Sequence, residues 1–111
     1  MSGSKVTEEQ IREIARKIGE QPGVVQVWLF GSHATGTAGP DSDVDLLAVY
    51  EEQPNARAAV QHLRKLLFDY VVPVDMLAIG RDRFERTRES VGALAHFVTR
   101  EGRVVHGAGC A

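Results

Sequence analysis

Two aspartates that open an apolar segment constrain the fold more than any other feature of this sequence. Asp43 and Asp45 flank a single valine and are followed by Leu-Leu-Ala-Val, a run typical of a buried strand. Side chains two residues apart on a strand project from the same face. A strand over residues 43–50 therefore carries both carboxylates on one face, together with Leu47 and Val49. Because burying an unpaired carboxylate is costly, these side chains need an ion-pair partner or a metal.

A Gly-Ser turn precedes the aspartates and ends an earlier apolar strand. Residues 24–30 are rich in β-branched and aromatic side chains, and Gly31 and Ser32 follow directly. Residues 32–35 can form only a short helix before Gly36. Free backbone N–H groups at such a turn favour an anion, for example a phosphate. A Gly-Ser pair can equally be the plain end of a strand, so its value comes from its spacing to the aspartates.

The remainder of the chain predicts helices that alternate with strands. Thr7 and Gln10 fit a capping box at the start of an amphipathic helix. The other predicted elements are helices over 8–18, 55–70, 80–88 and from Val91 to near Gly102, and strands over 73–79 and 103–106. This alternation predicts an α/β (α+β) fold in which helices pack on a small mixed sheet. We expect one domain, 1–111, with flexible tails at 1–6 and 107–111.

A third aspartate, Asp75, lies inside the predicted strand 73–79 among apolar neighbours. Neither this strand nor the one that holds Asp45 contains a basic residue, so a structural role would require ion pairs with basic residues elsewhere in the chain. For Asp43, a role in the preceding loop is an open alternative. Aspartate oxygens suit a hard cation such as Mg²⁺, and two such ions can activate an attacking oxygen and stabilise a leaving one. Carboxylates and a phosphate-binding turn together suggest metal-dependent chemistry on a nucleotide.

Composition narrows the class of protein. The formal net charge is −2, whereas general nucleic-acid binders usually carry a basic excess, so we expect no direct binding of nucleic acid. The single cysteine, Cys110, excludes an internal disulfide and fits a reducing cytoplasm. No apolar run approaches the roughly 18–20 residues that span a membrane, and the N-terminus lacks the apolar core of a signal peptide. We therefore expect a cytoplasmic protein without a membrane partner.

The spacing of these motifs resembles the signature of the DNA polymerase β-type nucleotidyltransferase superfamily. Its short form is Gly-Ser, ten residues, then Asp-x-Asp, and ten residues separate Ser32 from Asp43 here. The size of the chain, the following helix and the strand with Asp75 are similar to the minimal nucleotidyltransferases. These proteins often act as antitoxins to HEPN-domain toxins. The ending Glu-Gly-Arg-Val-Val-His, residues 101–106, also resembles their C-terminal strand.

The resemblance implies a role for each matching residue. Asp43 and Asp45 would bind two Mg²⁺ ions, and Asp75 would be a third metal ligand that helps to deprotonate the acceptor hydroxyl. Gly31 and Ser32 would hold the β- and γ-phosphates, and Ser42 belongs to the same motif as a nucleotide-binding residue. The implied reaction transfers AMP from ATP to a hydroxyl, with release of pyrophosphate. In such proteins the acceptor is a tyrosine of the partner toxin.

One residue departs from the family pattern, in which arginine often follows the alanine of Gly-Ser-x-Ala-Arg-Gly. This chain has Thr35 at that position. The loss of a positive charge could weaken nucleotide binding or have no effect. Two other functions therefore stay open: a binding module that neutralises a helical partner by docking, and a small-molecule nucleotidyltransferase that completes its acceptor pocket as a homodimer.

The remaining polar and aromatic candidates favour structural roles. His33 could contact phosphate but is predicted to be a surface residue, and Trp28 is predicted to be core rather than a base-stacking platform. The arginines between residues 81 and 88 predict a solvated helix face, with partner docking as the alternative. Phe68 falls off the apolar stripe of its helix and is expected to be exposed. The base preference, the acceptor and the oligomeric state are not encoded in any motif that we identify.

Overall fold

A four-stranded sheet forms the centre of the computed structural model, which describes residues 6–39 and 42–109. The strands are β1 (Val24–Phe30), β2 (Val44–Tyr50), β3 (Val74–Gly80) and β4 (Arg103–Gly107). The helices are α1 (Glu8–Gly19), α2 (Ser32–Thr35), α3 (Ala56–Leu66), α4 (Arg81–Thr87) and α5 (Leu94–Glu101). The predicted fold class, a small mixed sheet with helices packed on it, is confirmed.

The strands are arranged in the order β3-β2-β1-β4. β1 is antiparallel to both of its neighbours, β2 and β4, whereas β2 and β3 are parallel. A parallel pair needs a crossover connection, and α3 supplies it. Because β1 leads to the Gly-Ser turn and β2 follows it, the antiparallel pairing brings the two halves of the predicted site to the same end of the sheet.

Each face of the sheet has its own apolar core. On the face covered by α1 and α3, one cluster includes Val44, Leu46 and Ala48 of β2. On the face covered by α4 and α5, a second cluster includes Leu47 and Val49 of the same strand. The alternation of β2 side chains between two cores confirms the face assignment made from sequence. It also fixes the register, because a slip of one residue would exchange the two sets.

The N-terminal helix begins as its capping box predicts. The Thr7 side chain accepts from the Gln10 backbone N–H, and the Gln10 side chain accepts from the Thr7 backbone N–H. Ile11, Ile14 and Ile18 of this helix are buried against the sheet. The reciprocal cap satisfies N–H groups that would otherwise lack intrahelical partners.

Two predicted helices differ from the observed ones at their ends. α3 ends at Leu66 rather than at 70, because the chain tightens into a turn in which the Phe68 N–H donates to the Lys65 carbonyl. α5 begins at Leu94 rather than near Val91, because Gly92 has a φ of 96°, which is incompatible with a right-handed helix. Val91 is consequently outside the helix and 89% exposed.

Two residues of the predicted tails, Val6 and Gly107, contact the rest of the domain. Val6 packs against the core below α1, and Gly107 is the last residue of β4, paired with Gln26. The Gln26 side-chain amide also donates to the Ala108 carbonyl. The other residues of the predicted tails that lie at 1–5, 110 and 111 are outside the described residues. None of the helices in the described part of the chain is long and apolar enough to cross a membrane.

The burial of Phe84 in the second core predicts that it contributes far more to the free energy of unfolding than the exposed Phe68 does. Phe84 is 1% exposed and its ring lies 5.7 Å from that of Trp28, whereas Phe68 is 85% exposed. We expect Phe84→Ala to lower the free energy of unfolding by about 3–5 kcal/mol, since it leaves a cavity in the core. Phe68→Ala, the same chemical change at the surface, should alter it by less than about 0.5 kcal/mol. Urea denaturation of both variants tests this, and equal losses would contradict the core assignment.

Candidate active site

Asp45 and Asp75 are direct neighbours across the parallel strands β2 and β3. The pairing register places Asp45 opposite Asp75 on one side and opposite Phe30 on the other. Adjacent strands lie about 4.8 Å apart, and residues in register project from the same face of the sheet. Two carboxylates predicted from separate segments of the sequence are therefore brought together at one end of the sheet, beside the end of β1.

Asp43 lies immediately before β2, on the exposed side of the same site. Its charge acts on Asp45: partial burial raises the pKa of the Asp45 carboxyl above its ordinary value, and the neighbouring charges of Asp75 and Asp43 raise it further. The opposing influence on this pKa comes from His33. The three predicted carboxylates thus interact electrostatically, with Asp45 as the central and most buried member.

The turn at Gly31 has a conformation and a position that exclude a side chain. Gly31 has a φ of 75°, a left-handed region that favours glycine. A Cβ atom at this position would collide with the Asp45 Oδ2 atom. Glycine therefore allows the backbone of the turn to approach the Asp45 carboxylate. The predicted proximity of the phosphate-binding turn to the aspartates is present in the structure.

α2 follows Gly31 and is a single turn of helix. The Gly31 carbonyl accepts from the N–H groups of Ala34 and Thr35, and the Ser32 carbonyl accepts from that of Thr37. The first N–H groups of a helix have no partner within it. Ser32 and His33 occupy those positions, so the backbone can present donors at the end of β1.

Ser42 and His33 hold the loop between α2 and β2. The Ser42 hydroxyl accepts from the Gly39 N–H at 2.9 Å, and the Ser42 carbonyl lies 3.1 Å from His33 Nε2. His33 is half-buried, so the prediction of a simple surface residue misses its contact with Ser42. Ser42 itself orders the chain that leads into Asp43. Pro40 and Asp41, which were predicted to be loop, lie outside the described residues.

A basic residue that sequence reasoning missed lies beside Asp75. Arg64 projects from α3, and its Nη2 atom is 3.7 Å from Asp75 Oδ1. The two side chains are 63% and 55% exposed, so the pair is a solvated contact that contributes little to stability. This contact was not predicted from the sequence, because Arg64 lies on a helix and not in either of the two strands. Its position one turn after the apolar Val60 could have signalled a place at the rim of that helix.

The Thr35 hydroxyl contacts groups of its own short helix and of the residues that flank it. The Thr35 Oγ1 atom lies 3.0 Å from Thr37 Oγ1 and 3.4 Å from the carbonyl oxygens of Gly31 and Ser32. The side chain is exposed and packs back on its own short helix. The position at which the family often has arginine is therefore on the outer side of α2.

The other candidates are structural, as the sequence predicts. Trp28 is 9% exposed in the second core, and its Nε1 donates to Gln26 Oε1. The arginines of α4 and its flanks form exposed ion pairs: Arg81 with Glu51, Arg86 with Asp82 and Arg88 with Glu85. These contacts confirm a solvated helix face. The prediction that Phe68 is exposed is also confirmed.

Within residues 6–39 and 42–109, no group of three or more His, Cys, Asp or Glu side chains is arranged to hold a metal ion by itself. The side chains present nevertheless fit a hard cation in chemistry and in charge. They offer aspartate oxygens, and the raised pKa of Asp45, caused by burial and by two neighbouring carboxylates, shows negative charge that a cation would relieve. Such an ion would need further oxygen ligands, and Mg²⁺ commonly takes these from water and phosphate.

The crowding at the turn yields a test with a matched control. Gly31 and Gly36 both have positive φ, but a Cβ at Gly36 would meet no atom within 4 Å. Gly36→Ala should cost about 1–2 kcal/mol in the free energy of unfolding for backbone strain alone. Gly31→Ala should cost about 1–3 kcal/mol more, because its Cβ also displaces Asp45 and because its backbone, with a φ of 75° and a ψ of −157°, lies outside the left-handed helical region that Gly36 occupies. Combining Gly31→Ala with Asp45→Ala should recover part of the extra loss in urea denaturation. Equal costs for the two alanines would contradict the close approach.

The raised pKa of Asp45, caused first by burial and then by Asp75 and Asp43, predicts a pH-dependent stability. A carboxyl with a higher pKa in the folded state stabilises the fold below its unfolded pKa, near 3.8, and this stabilisation is lost as pH rises through the folded pKa. Asp45→Asn should therefore be more stable than the parent protein at pH 7. After solvent screening we expect at most about 1 kcal/mol, a shift in Tm of about 4–8 °C.

The measurement is thermal unfolding in chelator-containing buffer between pH 3.5 and 7. The advantage of Asp45→Asn should shrink toward the acid end of the range. Adding Mg²⁺ at pH 7 should raise the Tm of the parent protein and leave that of the asparagine variant unchanged. The quantity compared is the Tm of Asp45→Asn minus that of the parent protein. If this difference falls as the pH rises from 3.5 to 7, the electrostatic account is contradicted.

Comparison with known proteins agrees with this geometry. The nucleotidyltransferase domain family matches residues 8–104, which is most of the chain. No curated protein shows significant sequence similarity to the chain. The family match includes β1, the Gly-Ser turn, Asp43, Asp45 and Asp75.

Solved structures share the fold. A toxin–antitoxin complex with AMP-PNP contains a chain that is 23% identical, with a TM-score of 0.63 over 92% of this chain and 74% of that one. A variant of the MntA–HpeT toxin–antitoxin complex gives 21% identity and a TM-score of 0.62 over 92% and 74%. A complex of tri-AMPylated Shewanella oneidensis HEPN toxin with MNT antitoxin gives 21% identity and a TM-score of 0.54 over 90% and 69%. Because the family match spans residues 8–104 and includes the Gly-Ser turn and the three aspartates, the chain belongs to the nucleotidyltransferase domain family.

Proposed function

We propose that this chain is a Mg²⁺-dependent nucleotidyltransferase that transfers AMP from ATP to a hydroxyl of a helical partner protein. The observation that carries the proposal is the register of Asp45 and Asp75 beside Gly31. This arrangement juxtaposes carboxylates for metal binding and a backbone turn for phosphate. It is the combination that phosphoryl-transfer sites use to position substrate and to neutralise developing charge.

Each residue has a defined part in the proposed reaction. The N–H groups at the start of α2 and the Ser32 hydroxyl bind the β- and γ-phosphates, and Gly31 lets them lie close to Asp45. Asp43, Asp45 and Asp75 would hold two Mg²⁺ ions, completed by phosphate oxygens and water. When bound, the ions neutralise charge on the phosphates and lower the pKa of the attacking hydroxyl. Ser42 and His33 keep the loop before Asp43 in place.

The acceptor oxygen forms the new bond to the α-phosphorus. The bond between that phosphorus and the bridging oxygen breaks, and pyrophosphate leaves with the electron pair. The proton of the acceptor hydroxyl passes to the Asp75 carboxylate, which is 55% exposed and can release it to solvent. AMP is left as a phosphodiester on the acceptor, so atoms and charge balance without any further reactant.

The acceptor is proposed to be a HEPN-type toxin, which would make this chain the antitoxin of a toxin–antitoxin pair in the cytoplasm. Support comes from two of the structures with the same fold, which are described as a toxin–antitoxin complex with AMP-PNP and a tri-AMPylated HEPN toxin bound to MNT antitoxin. A second protein would supply the hydroxyl, and modification of that protein would neutralise it.

The proposal predicts a mass change on the partner. Incubation of the chain with ATP, Mg²⁺ and a HEPN-type partner protein should add one or more AMP groups to that protein and release pyrophosphate. Asp43→Ala, Asp45→Ala and Asp75→Ala should each reduce the rate by more than about 100-fold, because each removes a charge on which metal and substrate depend. Asp82→Ala, an exposed aspartate in α4, is the matched control and should keep full activity.

Mass spectrometry and a pyrophosphate assay measure the outcome. Circular dichroism of each variant checks that the fold is retained. If neither pyrophosphate nor a modified partner appears with any of the four ribonucleoside triphosphates, the chain is not a nucleotidyltransferase of this kind.

A docking module without catalysis is a second candidate, and the exposed apolar side chains favour it. Phe68 and Val71, at the end of α3 and beyond it, are 85% and 94% exposed. Apolar groups in such positions are common at protein interfaces. A variant in which Asp43, Asp45 and Asp75 are all alanine separates the two functions: neutralisation of the partner by this variant supports docking, and loss of neutralisation with binding intact supports catalysis.

A further inference from the structure

We infer that the groove between α3 and the outer edge of β3 binds the acceptor segment, and that it selects an acidic one. This inference rests on the proposed function, because the bound segment is an acceptor only if the chain transfers AMP to it. The binding surface itself is a property of the described residues and can be tested without any reaction.

The groove begins at Asp75 and runs away from the Gly-Ser turn. Its volume is about 420 Å³, and the residues that define it are Arg57, Val60, Gln61 and Arg64 of α3 with Asp75 and Leu77 of β3. Val60 lines the groove on the α3 side, whereas Leu77, which is 38% exposed, projects with Asp75 from the other face of the sheet at the same edge. A partly exposed leucine beside polar side chains is suited to contact with a polypeptide.

The position of the groove follows from the order of the strands. Gly31 ends β1, Asp45 lies on the adjacent β2, and Asp75 lies on β3, the next strand outward. If phosphate binds at Gly31, the departing pyrophosphate and the attacking oxygen must be on opposite sides of the α-phosphorus, since displacement is in line. The attacking oxygen then approaches from beyond β2, on the side of Asp75. The groove is the surface that continues from Asp75 in that direction.

Charge indicates what kind of segment fits. Arg57 and Arg64 lie seven residues apart on α3, two helical turns and about 10.5 Å along its axis, and both line the groove. Arg57 forms no ion pair with any residue that the structure describes, and Arg64 has only the long, solvated contact with Asp75. The chain as a whole carries a net charge of −2, so this pair is a local excess of positive charge. Two guanidinium groups beside the apolar Val60 match carboxylates on a partner chain.

The sheet edge adds a second recognition feature. β3 is the last strand on its side of the sheet, so its outer edge pairs with no other strand among the described residues. An extended segment can pair with such an edge through main-chain hydrogen bonds. An acidic, extended segment would therefore place a hydroxyl beside Asp75 while its carboxylates contact Arg57 and Arg64.

The binding test uses the full chain and two synthetic peptides, without nucleotide or metal. One is an eleven-residue peptide with a central tyrosine flanked by glutamates, and the other has lysines in place of the glutamates. Titration into the ¹⁵N-labelled protein should shift amide resonances of α3 and β3 with the acidic peptide alone. The Arg57→Glu/Arg64→Glu variant should bind it at least about tenfold more weakly, because two charge-assisted contacts are reversed.

Two further variants serve as controls for the binding test. Lys65→Glu reverses one charge at an exposed position of α3 outside the groove, whereas the Arg57→Glu/Arg64→Glu variant reverses two, and Lys65→Glu should change affinity less than about twofold. Arg57→Gln/Arg64→Gln removes the charges without adding repulsion near Asp75 and should still weaken binding several-fold. Equal binding of both peptides, unchanged affinity in the arginine variants, or shifts confined to α5 would overturn the inference. Tighter binding of a ten-nucleotide RNA in the same groove would also overturn it.

A second measurement separates this inference from the proposed function. ATP and Mg²⁺ are added, and AMP on the tyrosine of the acidic peptide is measured by mass spectrometry. Binding in the groove without any transfer, to peptide or partner, would sustain the docking surface and reject the nucleotidyltransferase. Transfer to a partner at an unchanged rate and KM in both arginine variants would sustain the enzyme and reject the groove. Transfer with a KM raised in both arginine variants, and unchanged in Lys65→Glu, is the expected result.

Discussion

Repulsion among carboxylates at one end of the sheet is the constraint on which the site depends. Asp45 is held in register beside Asp75, with Asp43 next to it, and its carboxyl pKa is raised by burial and by both neighbours. The strands that carry Asp45 and Asp75 are fixed by cores on both faces of the sheet, so the backbones of the two residues stay adjacent. The folding energy of the two cores therefore holds two carboxylates near each other.

Glycine at position 31 brings the Gly-Ser turn against this charge cluster. The backbone there can approach Asp45 only because no Cβ is present, and its positive φ directs the chain into α2. The half-buried contact of His33 with the Ser42 carbonyl then returns the chain toward β2. The contact between His33 and Ser42 therefore joins the start of α2 to the residue before Asp43. It keeps the Gly-Ser turn close to the aspartates.

The basic residues near the site are distributed differently from the family pattern. Thr35 occupies the outer side of α2, where its hydroxyl serves the helix, so an arginine in that place would project into solvent beside the turn. Arg64 instead lies on the opposite flank, near Asp75. Position 35, beside the Gly-Ser turn, thus lacks the positive charge that the family often has there. Two arginines, Arg57 and Arg64, lie instead on α3 beyond Asp75. This asymmetry is the basis for assigning the acceptor to the α3–β3 groove.

The sequence by itself determined the strands and short helices around the site, since these depend on local patterns: period-two alternation in residues 44–50, a capping box at Thr7 and a Gly-Ser turn at the end of an apolar run. It also indicated Asp43, Asp45 and Asp75 as a set, because unpaired carboxylates in apolar strands require a partner. The end of α3 and the start of α5 were misplaced by several residues, since a tightened turn after Leu66 and the positive φ of Gly92 override the apolar periodicity.

Only the tertiary structure decided which residues are neighbours across the sheet. The register that pairs Asp45 with Asp75, the approach of Asp45 to Gly31, and the presence of Arg64 at the site all arise from contacts between segments distant in sequence. Arg64 is the clearest case. The helical pattern predicts only that it is solvated, and its contact with Asp75 arises because α3 packs beside β3. Local patterning fixes what each segment is, whereas packing of both sheet faces fixes what each side chain meets.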